Sequence, residues 1–290
     1  MKRKSIFLIC LAGVLWGTSG LFVNFLAPMG FTTMQMVCMR GTVAAISMVL
    51  YVLFFNKSLF KITGKQLLFS LGSGISMFGT GAAYYAAIRA SSVSTAVILM
   101  YTAPVFVMAY SVAFLGERLT KKKFLAVLFM LVGCALVSGI IGGMTLNLSG
   151  ILLGLLSGVA YSAYNIFTKL QMRRNDNPVT STMYCFLVMA ILTLIFANPV
   201  ELVNTGVKSG AMVLPLGIGI GICTSVLPYF LYTVSLKYLP VGTASALGTV
   251  EPMAATVFSV AILGETLQIP ALIGIVLIIG SVVLLSKNES

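Results

Sequence analysis

Two side chains stand where charge is expensive. Arg40 lies about eight residues into a long apolar run, and Glu251 is the acidic residue set well inside another. An ion at the centre of a hydrocarbon layer costs about 3 kcal/mol on insertion scales, so each must pair, snorkel or face water. Arg40 has two readings. It faces the interior of a helix bundle and meets a substrate carboxylate or a protein acceptor, or it is a structural residue near the outer interface or against helix-end carbonyls. Glu251 is a proton site, a partner for the amine of a zwitterion, an internal partner for Arg40, or an interfacial residue.

Aromatic side chains with one polar edge lie inside or near the apolar runs: Trp16, Tyr84, Tyr101, Tyr161, Tyr164 and Tyr232. Such rings can line a cavity and stack on a substrate, or form interfacial belts, a role open to Tyr84 and Tyr101 above all. Asn165 and Thr168 can bond a solute or glue helices together. Pro104, Pro228 and Pro252 are expected to kink or hinge their helices, for transport or merely for packing. Glu117 and Glu265 each follow a glycine and are expected to fix loops and helix ends. The five cysteines form no C-x-x-C pair and histidine is absent. No metal and no cofactor are therefore expected, and the cysteines read as small packing residues.

These residues need elements to hold them. The chain has 290 residues, 59% of them hydrophobic and 8% charged, with a mean hydropathy of +1.07. Soluble domains carry about 25% charged residues, so the solvent here is largely hydrocarbon. A crossing helix takes roughly 20 residues. Ten fit, near 5–26, 32–54, 67–88, 93–115, 123–142, 149–168, 181–198, 211–235, 243–263 and 269–286, with short loops between. The eighth carries Pro228 and the glycines Gly217, Gly219 and Gly221, which predict a bent or broken helix. The first run is longer than a signal-peptide core and reads as a retained helix. The runs are apolar on every face, which argues against a membrane β-barrel.

Orientation follows from the basic residues. With the amino terminus in the cytoplasm, the cytoplasmic segments hold Lys2, Arg3, Lys4, Lys57, Lys61, Lys65, Arg118, Lys121, Lys122, Lys123, Lys169, Arg173, Arg174, Lys237 and Lys287. Only Arg89 and Lys208 fall opposite, which predicts that both termini are cytoplasmic. The net charge of +12 reflects this placement and does not point to nucleic acid.

The sequence also repeats itself. A shift of 148 residues brings Pro104 onto Pro252, Tyr84 onto Tyr232, Trp16 onto Tyr164, and Ser111–Glu117 onto Ser259–Glu265 with its Leu-Gly-Glu ending. Residues 1–142 and 149–290 thus read as two related units of five helices. Five is odd, so the second must cross in the opposite sense. Two inverted halves can exchange conformations around one central site, which favours a transporter over a receptor or enzyme.

The run Ala12-Gly-Val-Leu-Trp16-Gly17, the Met39-Arg40-Gly41 site and the duplicated proline segments leading to Leu-Gly-Glu resemble the EamA-type permeases of the drug/metabolite transporter superfamily. The resemblance spans essentially the whole chain. It departs where Tyr164-Asn165 stands in place of Trp16-Gly17. It implies an all-α, multi-pass protein of a prokaryotic cytoplasmic membrane, with a central cavity formed by both halves. It also implies a secondary carrier for a small organic metabolite, such as an amino acid, working by alternating access with export favoured. Its partners would be that solute and membrane lipid; coupling to protons or sodium stays open, and no obligate protein partner is evident. With no P-loop, direct ATP hydrolysis is not expected. The competing readings are a membrane-embedded enzyme acting on lipid, which the scarcity of acids and lack of histidine disfavour, and a non-transporting scaffold or sensor.

Overall fold

Apolar runs in hydrocarbon fold as helices because their backbone must satisfy its own hydrogen bonds. The computed structural model describes residues 1–139 and 147–289, and among these no strand forms. The helices are α1 (Lys2–Gly17), α2 (Ser19–Leu26), α3 (Thr33–Phe55), α4 (Gly64–Ala90), α5 (Val93–Met100), α6 (Ala103–Phe114), α7 (Lys121–Val137) and α8 (Leu148–Arg173). They continue as α9 (Pro178–Phe196), α10 (Pro199–Ser209), α11 (Val213–Gly221), α12 (Leu227–Ser235), α13 (Val241–Gly248), α14 (Glu251–Leu263) and α15 (Ile269–Glu289). Eight helical stretches among the described residues are long and apolar enough to cross a membrane, and the protein is an all-α, multi-pass membrane protein. α4 and α7, of 27 and 17 residues, pack among them. Residues 140–142 of the expected fifth span lie outside the described residues.

Local sequence explains where helices begin. Thr32 with Gln35, and Thr63 with Gln66, build capping boxes at the starts of α3 and α4. Asn147 caps α8, and Asn177 followed by Pro178 opens α9. One helix was not anticipated. Residues 199–209, expected as part of a loop, form α10, capped by Asn198 with Glu201 in its first turn and Lys208 in its last. Those signals suit a helix and its dipole. Periodicity over so few residues was too short to show it.

Several expected spans are not continuous. The first turns at Thr18, the fourth breaks at Tyr101–Thr102, and the ninth breaks at Thr249–Val250. The expected irregularity in the eighth is a π-helical segment, Ile222–Val226, between α11 and α12. Pro104, Pro228 and Pro252 all lie in the first turn of the helix that follows an interruption. A missing N–H is no loss there. Pro104 and Pro252 therefore start new helices, whereas Pro228 follows the π-helical segment within a backbone that stays helical from Val213 to Ser235.

Close glycine contacts lock the bundle. α7 and α15 run antiparallel and touch backbone to backbone: a Cβ on Gly133 would lie 2.8 Å from the carbonyl oxygen of Gly274, and one on Gly274 would lie 2.6 Å from that of Gly133. Other glycines dock the helix breaks. A Cβ on Gly13 would meet the Gly248 carbonyl at 3.1 Å, and one on Gly158 the Leu99 carbonyl at 2.9 Å. Backbone atoms cannot step aside as a flexible side chain can. Gly274→Ala is expected to lower stability by about 1–3 kcal/mol, read as a lower melting temperature in detergent. Gly280→Ala, with open space around its Cβ, should leave that temperature unchanged.

Candidate functional site

The two intramembrane charges meet where irregular backbone meets them. Arg40, on α3, directs its guanidinium at the π-helical segment: Nε donates to Ser225 Oγ at 3.1 Å and Nη2 to the Thr224 carbonyl at 3.3 Å. A π turn withdraws carbonyls from ordinary helical pairing, so it offers an acceptor where an intact helix would not. Glu251 heads α14 immediately after the break at Thr249–Val250. Its carboxylate thus sits at the positive end of a helix dipole.

The charges are neighbours without being bonded. The Arg40 guanidinium and the Tyr101 hydroxyl both act on the Glu251 carboxylate. Both charges also act on the Tyr229 hydroxyl. Among the described residues, however, no ion pair within 4.0 Å joins Arg40 to Glu251; the pair of that length is Arg174–Asp176, elsewhere. Both Arg40 and Glu251 stay half-buried, so each keeps contact with accessible space.

An aromatic wall stands beside them. Trp16 packs edge-on against Tyr229, with ring centres 4.9 Å apart, and is tilted against Tyr232 at 5.7 Å. Tyr229 also meets Tyr164 and Phe186 edge-on, at 5.4 and 5.7 Å. Tyr161 and Tyr164 lie parallel, 6.2 Å apart. The Trp16 Nε1–H is buried and has no hydrogen-bond partner among the described residues. An unpaired buried donor is costly, and a bound solute is one way to satisfy it.

The expected residues sort into two groups. Arg40, Glu251, Tyr84 and Tyr161 remain partly accessible, and the tyrosines share the field of the Glu251 carboxylate. Trp16, Tyr101 and Tyr164 are buried but border them. Tyr232 and Asn165 are different. Both are fully buried and tied together, the Tyr232 hydroxyl donating to Asn165 Oδ1 while Asn165 Nδ2 donates to the Tyr161 carbonyl. Thr168 likewise donates to the Tyr164 carbonyl. These last three hold the wall in place. Tyr229, Phe186, Thr224 and Ser225 were not foreseen. Tyr229 follows Pro228 directly, and that proline was the available signal.

The two ends of the bundle are unequally closed. Every residue of α13 is buried, whereas in α5 only Thr95 and Ala96 are. Below Asn165, Lys169 Nζ donates to the carbonyls of Leu236 and Leu239, both at 2.6 Å. Leu236 and Leu239 are essentially inaccessible. The charged pair is therefore sealed from the end bearing Glu117. At the other end, a cavity of about 460 Å³ opens between α2, α7, α14 and α15, with Glu265 on its wall.

The Tyr232–Asn165 bond can be tested directly. Asn165→Ala leaves a buried hydroxyl unpaired and should cost about 1–3 kcal/mol. Tyr232→Phe added to Asn165→Ala should recover part of that loss in detergent melting, because the stranded group is gone.

Comparison with known proteins places this arrangement. The sequence profile of the EamA-like transporter family matches residues 3–139 and again 148–287. An uncharacterized transporter of Archaeoglobus fulgidus is 29% identical over 287 residues, covering 95% of this chain and 94% of that one. The uncharacterized transporter YwfM of Bacillus subtilis is 25% identical, covering 96% and 92%. The threonine/homoserine exporter RhtA of Escherichia coli is 27% identical, covering 90% and 83%. A solved crystal structure superposes with a TM-score of 0.82 at 17% identity, over 98% of this chain and 96% of that one, which establishes the shared fold. The chain belongs to the EamA-like transporter family.

Proposed function

We propose that this protein is a secondary carrier that moves a small organic metabolite bearing a carboxylate, an amine or both across a prokaryotic cytoplasmic membrane. One observation carries the reading. Arg40 and Glu251 lie within electrostatic reach of one another, half-buried and without a direct ion pair among the described residues, at a π-helical segment and a helix break respectively. A zwitterion placed between them would pair its carboxylate with Arg40 and its amine with Glu251. Trp16 and the tyrosines would cover its apolar part. The name of the RhtA relatives makes L-threonine a sensible first probe.

In this reading α4 and α7 also cross, giving ten spans in two inverted five-helix halves, 1–142 and 149–290. The breaks at 101–102 and 249–250, the contact of Gly133 with Gly274 together with its register mate of Ser281 with Ala126, and the double family match all favour it. The basic residues at the Glu117 end favour a cytoplasmic position for that end and for both termini. The inner end is then the closed one in this state, and alternating access opens it. α10 would lie in the outer interface, its Val200, Val203 and Val207 exposed on one side. Glu251 is the candidate proton site, and export is the favoured direction.

The test is counterflow of L-threonine and a panel of amino acids, amines and carboxylates in vesicles with imposed proton or sodium gradients. Arg40→Ala should cut transport of carboxylate-bearing solutes about tenfold more than that of neutral ones. Equal losses in both classes would make Arg40 structural. Glu251→Gln should abolish the response to a proton gradient at normal protein levels; an unchanged response would remove its coupling role.

A further inference from the structure

A latch is closed at the Glu117 end. Glu117 Oε1 accepts a hydrogen bond at 2.8 Å from the N–H of Val241, the first residue of α13. Pro240, which precedes it, offers no side-chain cap, so a carboxylate from the other half supplies the acceptor. Val241 is fully buried. Gly242 lies so close beneath that a Cβ would stand 3.4 Å from Ser111 Oγ.

The register of 148 carries every member of this contact to the opposite end. Glu117 corresponds to Glu265, Ser111 to Ser259, Val241 to Val93 and Gly242 to Ser94. The two Leu-Gly-Glu turns are built alike. Gly116 and Gly264 have φ of 71° and 72°, and the N–H groups of Glu117 and Glu265 donate to the carbonyls of Ser111 and Ser259 at 3.1 and 3.4 Å. Yet the second contact is open: Glu265 is exposed, and Val93 is 57% exposed. The cavity of about 460 Å³ lies just where α5 would have to dock. Its walls include Asn24, Leu136, Thr256 and Leu263. Their counterparts are Met172, Leu284, Met108 and Leu115, which pack in the core that surrounds the buried α13.

We propose that Glu265 and the amino end of α5 form the matching outer latch, and that this cavity is its vacated seat. In the opposite state α5 enters the cavity, the Val93 N–H donates to Glu265, and the bond from Val241 to Glu117 opens. The two carboxylates thus close the two ends alternately, which rests on the inverted-carrier reading above.

Disulfide trapping reads both latches in membrane vesicles holding the full chain. The outer pair is Ser94→Cys with Ser259→Cys, and the inner pair is Ser111→Cys with Gly242→Cys. Linked peptides are quantified by mass spectrometry, which leaves the native cysteines in place. Glu117→Ala should raise the outer-to-inner yield ratio by about tenfold, the size of a charge-assisted hydrogen bond. Glu265→Ala should lower it similarly, and Glu265→Gln, which keeps a carbonyl acceptor, should fall between. If Glu117→Ala fails to accumulate, Glu117→Gln takes its place, with a smaller rise expected, beside the Glu265 arm. An outer pair that never links, or a ratio unmoved by either substitution, overturns the latch. L-Threonine counterflow in the same vesicles separates the two ideas: transport without outer linking leaves the carrier reading intact, whereas linking that responds to both glutamates in vesicles that move no solute would count against the carrier reading alone.

Discussion

The hydrogen bond from the Arg40 guanidinium to the Thr224 carbonyl anchors the centre of this protein. It answers two demands together. A guanidinium within a membrane needs acceptors, and a π-helical segment within a membrane needs donors. Each irregularity makes the other tolerable. Ser225 completes the arrangement through Nε, which leaves part of the guanidinium fork free to meet a ligand. Tyr229, one turn along, ties the same charge to the aromatic wall.

The carboxylate answers the same constraint differently. Glu251 begins a helix, where unpaired N–H groups and the dipole stabilise a negative charge without a cation in contact. That separation matters for the proposed function. Had the two charges closed on one another, a solute would have to break an ion pair in a low-dielectric setting before it could bind. Glycines on α1 make the break possible by letting its backbone dock directly on the helix. Deep packing against α1, α8 and α12 then fixes Trp16, Tyr164 and Tyr232 around the gap.

Much of this was readable from the chain alone, for identifiable reasons. Hydropathy located the eight long apolar stretches because hydrocarbon enforces it residue by residue, and Arg40 and Glu251 stood out because charge there is rare. Proline marked the interruptions but not their form: Pro104 and Pro252 announce fresh helices, and nothing local distinguishes that from a kink. Asn165 and Tyr232 looked like cavity residues, since an amphipathic side chain reads alike whether it meets a solute or a neighbour. Their mutual hydrogen bond is long-range and invisible to spacing. Ser225 and Thr224 were missed because their role depends on the π turn, which no motif encodes. α10 was missed because eleven residues carry too little periodicity, although Asn198-Pro199 did signal its start.

The account stands on the gap between Arg40 and Glu251 being the seat of a solute that presents opposite charges at its two ends. Ligand-induced stabilisation of the unmodified protein in detergent tests this most directly, with L-alanine, L-alanine methyl ester and N-acetyl-L-alanine as a matched series. The account predicts a rise in melting temperature with the zwitterion that is lost when either charge is masked. Equal stabilisation by all three would contradict it, because the two charges would then play no part in holding the solute.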